Sequence, residues 1–247
     1  MKKILTLLAL FAMTLSVTAQ TQKFYMWKNG AYVEHDISDV DSVTFSLYLP
    51  EYAVDLGLPS GTLWADRNVG AEGPDDYGDY FAWGETAPKS DYSWETYKWC
   101  KGSARSQTKY CSNTYYWASN YAQFPDKRTI LVEEDDAAIT NWGGEWIMPR
   151  KEDFAELINK CTWIWMITKN DVEGYKVIGP NGNSIFLPAV GHLDNGTVDV
   201  GSSGYYWSVS LDKDFESSAH GLCFGLRYYH CCGVSRYNGC TVRAVVK

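Results

Sequence analysis

Seven cysteines carry most of the reactive potential of this 247-residue chain. Four of them, Cys223, Cys231, Cys232 and Cys240, fall within residues 217–246, beside Tyr228, Tyr229 and His230. Thiols at this density serve disulfide bonding, metal ligation or redox catalysis. Their spacing argues against metal: there is no C-x-x-C pair, and His230 next to Cys231 does not converge on one ion without further ligands. Neighbouring Cys231 and Cys232 strain a mutual bridge, and an odd number of cysteines cannot all pair within one chain. Cys100 and Cys111 are close enough in sequence to staple a loop and form the disulfide candidate. Cys161, which follows a helical stripe, fits a buried thiol.

A second cluster is acidic: Glu133, Glu134, Asp135 and Asp136. Clustered carboxylates suit a hard cation such as calcium. Consecutive ones point in different directions, however, and before Ala137-Ala138 they read better as the first turn of a short helix, where they favour its dipole. No metal site and no cofactor is expected. The chain also lacks a Ser/His/Asp set, a Gly-rich phosphate loop and a paired-carboxylate motif, so it does not read as an enzyme.

The composition of residues 217–246 is unusual. Lys, Glu, Gln, Met and Trp make up 47 of the 247 residues. About 6 of them would be expected in this stretch against average usage, and there are none. These are the five types that no codon ending in a pyrimidine encodes. The pattern points to a segment diversified at the DNA level and displayed for binding. Tyr gives rigid contact area with few rotors while Ser and Gly adapt, and Arg227-Tyr228-Tyr229-His230-Cys231-Cys232-Gly233 lacks the clear period-2 alternation of a half-buried strand. The candidate ligand-binding residues are His220, Cys223, Leu226, Arg227, Tyr228, Tyr229, His230, Cys231, Cys232, Ser235 and Tyr237. Phe224, Val242 and Val245 are expected to be scaffold.

The elements that must hold this segment can be read upstream. Lys2 and Lys3, an apolar run over residues 4–17 and Val17-Thr18-Ala19 predict a signal peptide, 1–19, cut after Ala19. A retained anchor helix is the other reading, disfavoured because Thr14, Ser16 and Thr18 end the apolar run early. No later segment reads as a membrane span. The net charge of −8 opposes binding to phosphate backbones, so nucleic acid is not an expected partner. Residues 20–50 read as a small β appendage, with Asn29-Gly30 as a hairpin turn and a third strand over 42–48. Residues 51–247 read as the main domain. Two short strands flank Pro59-Ser60-Gly61, and another ends near Trp83 and Gly84. A helix starting after Pro149 carries Phe154, Leu157, Ile158 and Cys161 on one stripe. A strand pair follows over 174–178 and 184–188. The long polar excursion over 90–126 is where a Cys100–Cys111 bridge would reduce unfolded-state freedom.

Several stretches taken together resemble a known family: GLPSGTLWADRNVGA, YGDYFAWGET, NWGGEWIMPRKEDFAELI, NSIFLPAVGH, GYYWSVS and TVRAV. In order and wording they resemble the Fibrobacter succinogenes major paralogous domain, from about Tyr52 to Lys247. The appendage, with DSVTF at 41–45, resembles one found in exported proteins of Bacteroidetes. The domain resemblance implies an α+β domain with the C-type-lectin-like fold of the formylglycine-generating-enzyme type. Variable proteins of diversity-generating retroelements, which carry a diversified C-terminal segment on that fold, are also similar. This likeness implies a secreted or cell-surface protein that binds an unidentified protein or glycan ligand. Two alternatives remain: a structural or adhesin-like surface protein without a diversified site, and an oxidase like the formylglycine-generating enzymes. Calcium-dependent lectins resemble one another in a Glu-Pro-Asn loop and a Trp-Asn-Asp motif. Here Trp207 is followed by Ser208-Val209-Ser210, which makes it a core residue in this reading.

Overall fold

The structure is a computed structural model that describes residues 23–28, 30–37, 50–118 and 124–247. The signal peptide expected over 1–19 and the strand expected over 42–48 lie outside the described residues. The chain divides into two compact units, Met1–Tyr48 and Leu49–Lys247. In the first, β1 (Lys23–Lys28) pairs antiparallel with β2 (Ala31–Asp36). Gly30 takes φ 79° in the turn, where a side chain would be strained. Tyr25 meets Tyr32 edge-on at 5.3 Å across the pair.

The second unit is built from small antiparallel sheets and two α-helices. β3 (Ala53–Asp55) and β4 (Leu63–Ala65) flank the Pro-Ser-Gly turn. The strand expected near Trp83 is instead a single bridge, Phe81 to Cys240. Gly78 at φ 68° and Gly84 at φ 75° turn the chain on either side and leave no length to pair. Further on, Glu133–Asp135 form a 3-10 turn and α1 spans Ala137–Trp142. Asp136 is its N-cap, accepting from the Ala138 and Ile139 amides at 2.8 and 3.1 Å. Asp135 takes the Tyr110 hydroxyl and Lys109. Glu133, Glu134 and Asp135 thus form the first turn of a short helix, a 3-10 one, while Asp136 caps α1.

α2 (Lys151–Lys160) begins where Pro149 ends extended chain, and Asp153 accepts from the Arg150 amide at 2.7 Å. Phe154 and Leu157 are fully buried, with Ile158 and Cys161 packed beside them. β5 (Thr162–Ile167), β6 (Glu173–Ile178) and β7 (Ser184–Pro188) make one sheet with β6 in the middle. Strand β5 lies outside the strands expected from the sequence. Its signal is Trp163 and Trp165 alternating inward with exposed Ile164.

After the short pair β8 (His192–Leu193) and β9 (Thr197–Val198) comes the sheet that organises the unit: β10 (Ser203–Leu211), β11 (Ser218–Gly225) and β12 (Tyr228–Ser235). The core lies on both of its faces. Trp207, Ala219, Cys223 and Val234 pack to one side with Trp83, Tyr110 and Val242. Tyr206, Leu222 and Phe224 pack to the other with Phe154, Tyr175 and Val245. The indole N–H of Trp83 donates to the Ser208 carbonyl at 2.8 Å, and that of Trp207 donates to the Phe81 carbonyl at 2.7 Å, so these two indoles satisfy their one donor. β13 (Val245–Val246) closes the chain against β4. Among the described residues no helix is long and apolar enough to cross a membrane.

Candidate functional site

β11 and β12 form a hairpin with Gly225 opposite Tyr228, which leaves Leu226 and Arg227 as a two-residue tip. Neither tip residue adopts the left-handed backbone. Most two-residue hairpins require it and so demand Gly or Asn. This turn accepts ordinary L-residues without strain. The hairpin root is the opposite case: from Ala219 to Gly225 only His220 is more than slightly exposed.

The pairing register assigns side chains to faces. Tyr228, His230, Cys232 and Val234 share a face with Cys223 and Tyr205; Tyr229 and Cys231 share the other with Leu222 and Phe224. A Cβ at Gly225 would come within 2.8 Å of the Tyr228 ring, so this glycine lets the tyrosine lie across the strand. Tyr228 and His230 approach with ring centroids 5.5 Å apart. Leu226 is 58% exposed, Tyr228 46% and Tyr229 37%, and Arg227 and His230 are also exposed.

Tyr229 differs from its neighbours. Its ring stacks on Trp163 at 4.5 Å with planes 9° apart, and meets Tyr175 edge-on at 5.6 Å. It ties the hairpin to the neighbouring β5–β7 sheet while staying 37% exposed.

The remaining candidates separate. Cys223 is buried and joined in a disulfide to half-buried Cys232, with Cα atoms 6.0 Å apart. Neither is a free ligand-binding side chain. Cys231, on the opposite face, is a free thiol packed toward α2, and burial pushes its pKa up. His220 is half-buried, and burial lowers its pKa. Ser235 is half-buried at the far end of β12. Tyr237 lies elsewhere: its hydroxyl donates to Asp194 at 3.2 Å and its ring packs on Trp94 at 4.9 Å. The structure thus brings together Leu226, Arg227, Tyr228, His230 and, in part, Tyr229. It adds Tyr205, on the same face as Tyr228 and against His192 at 4.6 Å, and Trp163 beneath Tyr229. In GYYWSVS, alternation alone could have found Tyr205, since Tyr206 and Tyr205 must face opposite ways.

The Cys100–Cys111 disulfide is not formed. Both are free, buried thiols with their own partners. Cys100 donates to the Trp94 carbonyl at 3.1 Å, and Cys111 donates to Glu216 at 3.1 Å. Burial, with Glu216 adding to it, pushes the Cys111 pKa up to about 12. What holds the long excursion is Glu216, which accepts from the Ser112 and Asn113 amides and the Ser112 hydroxyl. Arg236 is fully buried and donates to the carbonyls of Lys109, Tyr110 and Glu216 and to the Tyr97 hydroxyl.

No family model, characterised protein or solved structure matches this chain.

Proposed function

We propose that this is an exported binding protein that presents the tip of the β11–β12 hairpin to a protein or glycan ligand. In this reading the second unit is a C-type-lectin-like scaffold of the formylglycine-generating-enzyme type. The leader directs the protein out of the cell, to the surface or beyond it, and the C-terminal segment is diversified at the DNA level. The observation that carries the reading is a contrast within one hairpin. Leu226, Arg227, Tyr228 and His230 project to solvent, while Leu222, Cys223 and Phe224 a few residues away are core. Binding residues on a rigid frame follow this pattern.

The decisive test is genomic. A near-copy of the DNA for residues 217–246, differing at template adenines and lying beside a reverse transcriptase gene, is expected. Its absence would leave an adhesin-like surface protein without a diversified site. The oxidase alternative calls for two thiolates meeting at one metal, whereas Cys223 and Cys232 are bonded to each other and Cys231 faces the other way. Copper binding and oxidation of a cysteine-containing peptide by the purified protein would revive it.

A further inference from the structure

Resting on the binding role of the hairpin, we propose that its tip takes a protein partner whose docking surface is a groove centred on a carboxylate among apolar side chains. The chain is acidic, with net charge −8, yet residues 217–247 contain no Asp or Glu. Of the three arginines there, Arg236 and Arg243 are fully buried and hydrogen-bonded inside the domain. Arg227 is the one that reaches solvent, at the turn, and it forms no ion pair or hydrogen bond with any described residue.

The neighbours of Arg227 decide what it can meet. Leu226 and Tyr228 flank it with large exposed apolar area. A partner that covers them also strips water from the guanidinium. Leaving that charge unpaired is costly, and a carboxylate returns two parallel hydrogen bonds in its place. An aromatic ring and an arginine ringed by apolar contacts form the usual composition of an interface hot spot.

Shape selects a protein over a small molecule or a sugar. Small ligands are held in concave sites. Two clefts among the described residues are lined, one by Asp66, Met166, Lys176 and Phe186 and the other by Lys109, Arg128 and Glu133. Neither draws a lining residue from the hairpin, whose tip is a projecting turn. A convex tip needs a partner that supplies the groove.

The test is selection of a display library of structured peptides with randomised clefts on the full oxidised chain, alongside an array of neutral and carboxylated glycans. Selected peptides are expected to be enriched in Asp and Glu. Their binding should weaken on the order of tenfold or more in Arg227→Gln, and Arg227→Glu should select Lys- and Arg-rich peptides instead. Peptides without acidic preference that are nevertheless lost in Leu226→Ser and Tyr228→Ser would overturn the charge inference and leave the hairpin's binding role standing. Peptides indifferent to all of these substitutions would overturn both. Binding confined to carboxylated glycans and abolished by Arg227→Gln would overturn the choice of a protein partner.

Discussion

The ring of Tyr229 lies flat on the indole of Trp163, with centroids 4.5 Å apart and planes within 9° of parallel. One belongs to the edge strand of the hairpin sheet and the other to the edge strand of the β5–β7 sheet. The contact makes Tyr229 a strut, while Tyr228 on the opposite face stays open. A double-mutant cycle of Trp163→Ala and Tyr229→Ala is expected to give a coupling of about 0.5–1.5 kcal/mol. Trp163→Ala should also speed amide exchange in β12. Strict additivity would show the stack to be inert.

Tip and root of the hairpin should respond differently to substitution. Leu226→Ser, Arg227→Ser and His230→Ser are each expected to change unfolding free energy by no more than about 0.5 kcal/mol. Phe224→Ala, three residues before Arg227 and fully buried, should cost about 3–5 kcal/mol. Urea unfolding of the four variants measures both. Losses at the tip comparable with that at Phe224 would make it core rather than display.

Much of this frame is legible in the sequence because it depends on local signals. The stripe of α2, the β6–β7 pair and the β1–β2 pair rest on periodicity and turn chemistry that a few neighbouring residues decide. Composition marks residues 217–246 as a whole and does not separate the exposed tip from the buried root. What escapes a linear reading is long-range satisfaction of buried groups. Cys100 and Cys111 are near each other in the chain, but the loop that holds Cys111 is closed by Glu216, 105 residues away. Likewise nothing beside Tyr229 announces that Trp163 will cover it, so two adjacent tyrosines with the same apparent role take different ones.

Thiol accessibility tests the cysteine assignment directly. Alkylation in denaturant without reductant is expected to block five cysteines, Cys100, Cys111, Cys161, Cys231 and Cys240, and all seven after reduction. Peptide mapping should recover Cys223 linked to Cys232. Their separation of nine residues makes a small ring, for which chain entropy gives about 2–3 kcal/mol. Reduction should lower stability by that order. A Cys100–Cys111 linked peptide would refute the assignment.

Glu216 sets an acid limit on the loop it holds. Burial alone would raise its pKa, but hydrogen bonds from Ser112, Asn113 and Cys111 outweigh this and hold it below the usual glutamate value. A carboxyl whose folded pKa is depressed contributes fully above the unfolded value of about 4.3. That contribution disappears as pH falls through the lower folded value. Urea titrations between neutral and acid pH should therefore show stability falling below about pH 4.3, with a smaller slope in Glu216→Gln. An unchanged slope in that variant would remove Glu216 from the account.

Arg236 offers a complementary probe. Replacing it with Met keeps much of the volume but leaves the Lys109, Tyr110 and Glu216 carbonyls without their donor. Loss of these bonds is expected to cost about 3 kcal/mol or more. Proteolysis should then cut first within residues 101–118.

The exposed turn is an interior part of its unit, not a tail. After it come buried Arg236, buried Arg243 and the strand Val245–Val246, which seals against Trp64 and Leu63. A premature stop or a shifted frame arising in the codons for the turn would delete those parts and, with them, the fold. Heritable change at this spot is therefore screened by folding itself: only copies that keep the reading frame to the last strand yield a protein able to present anything.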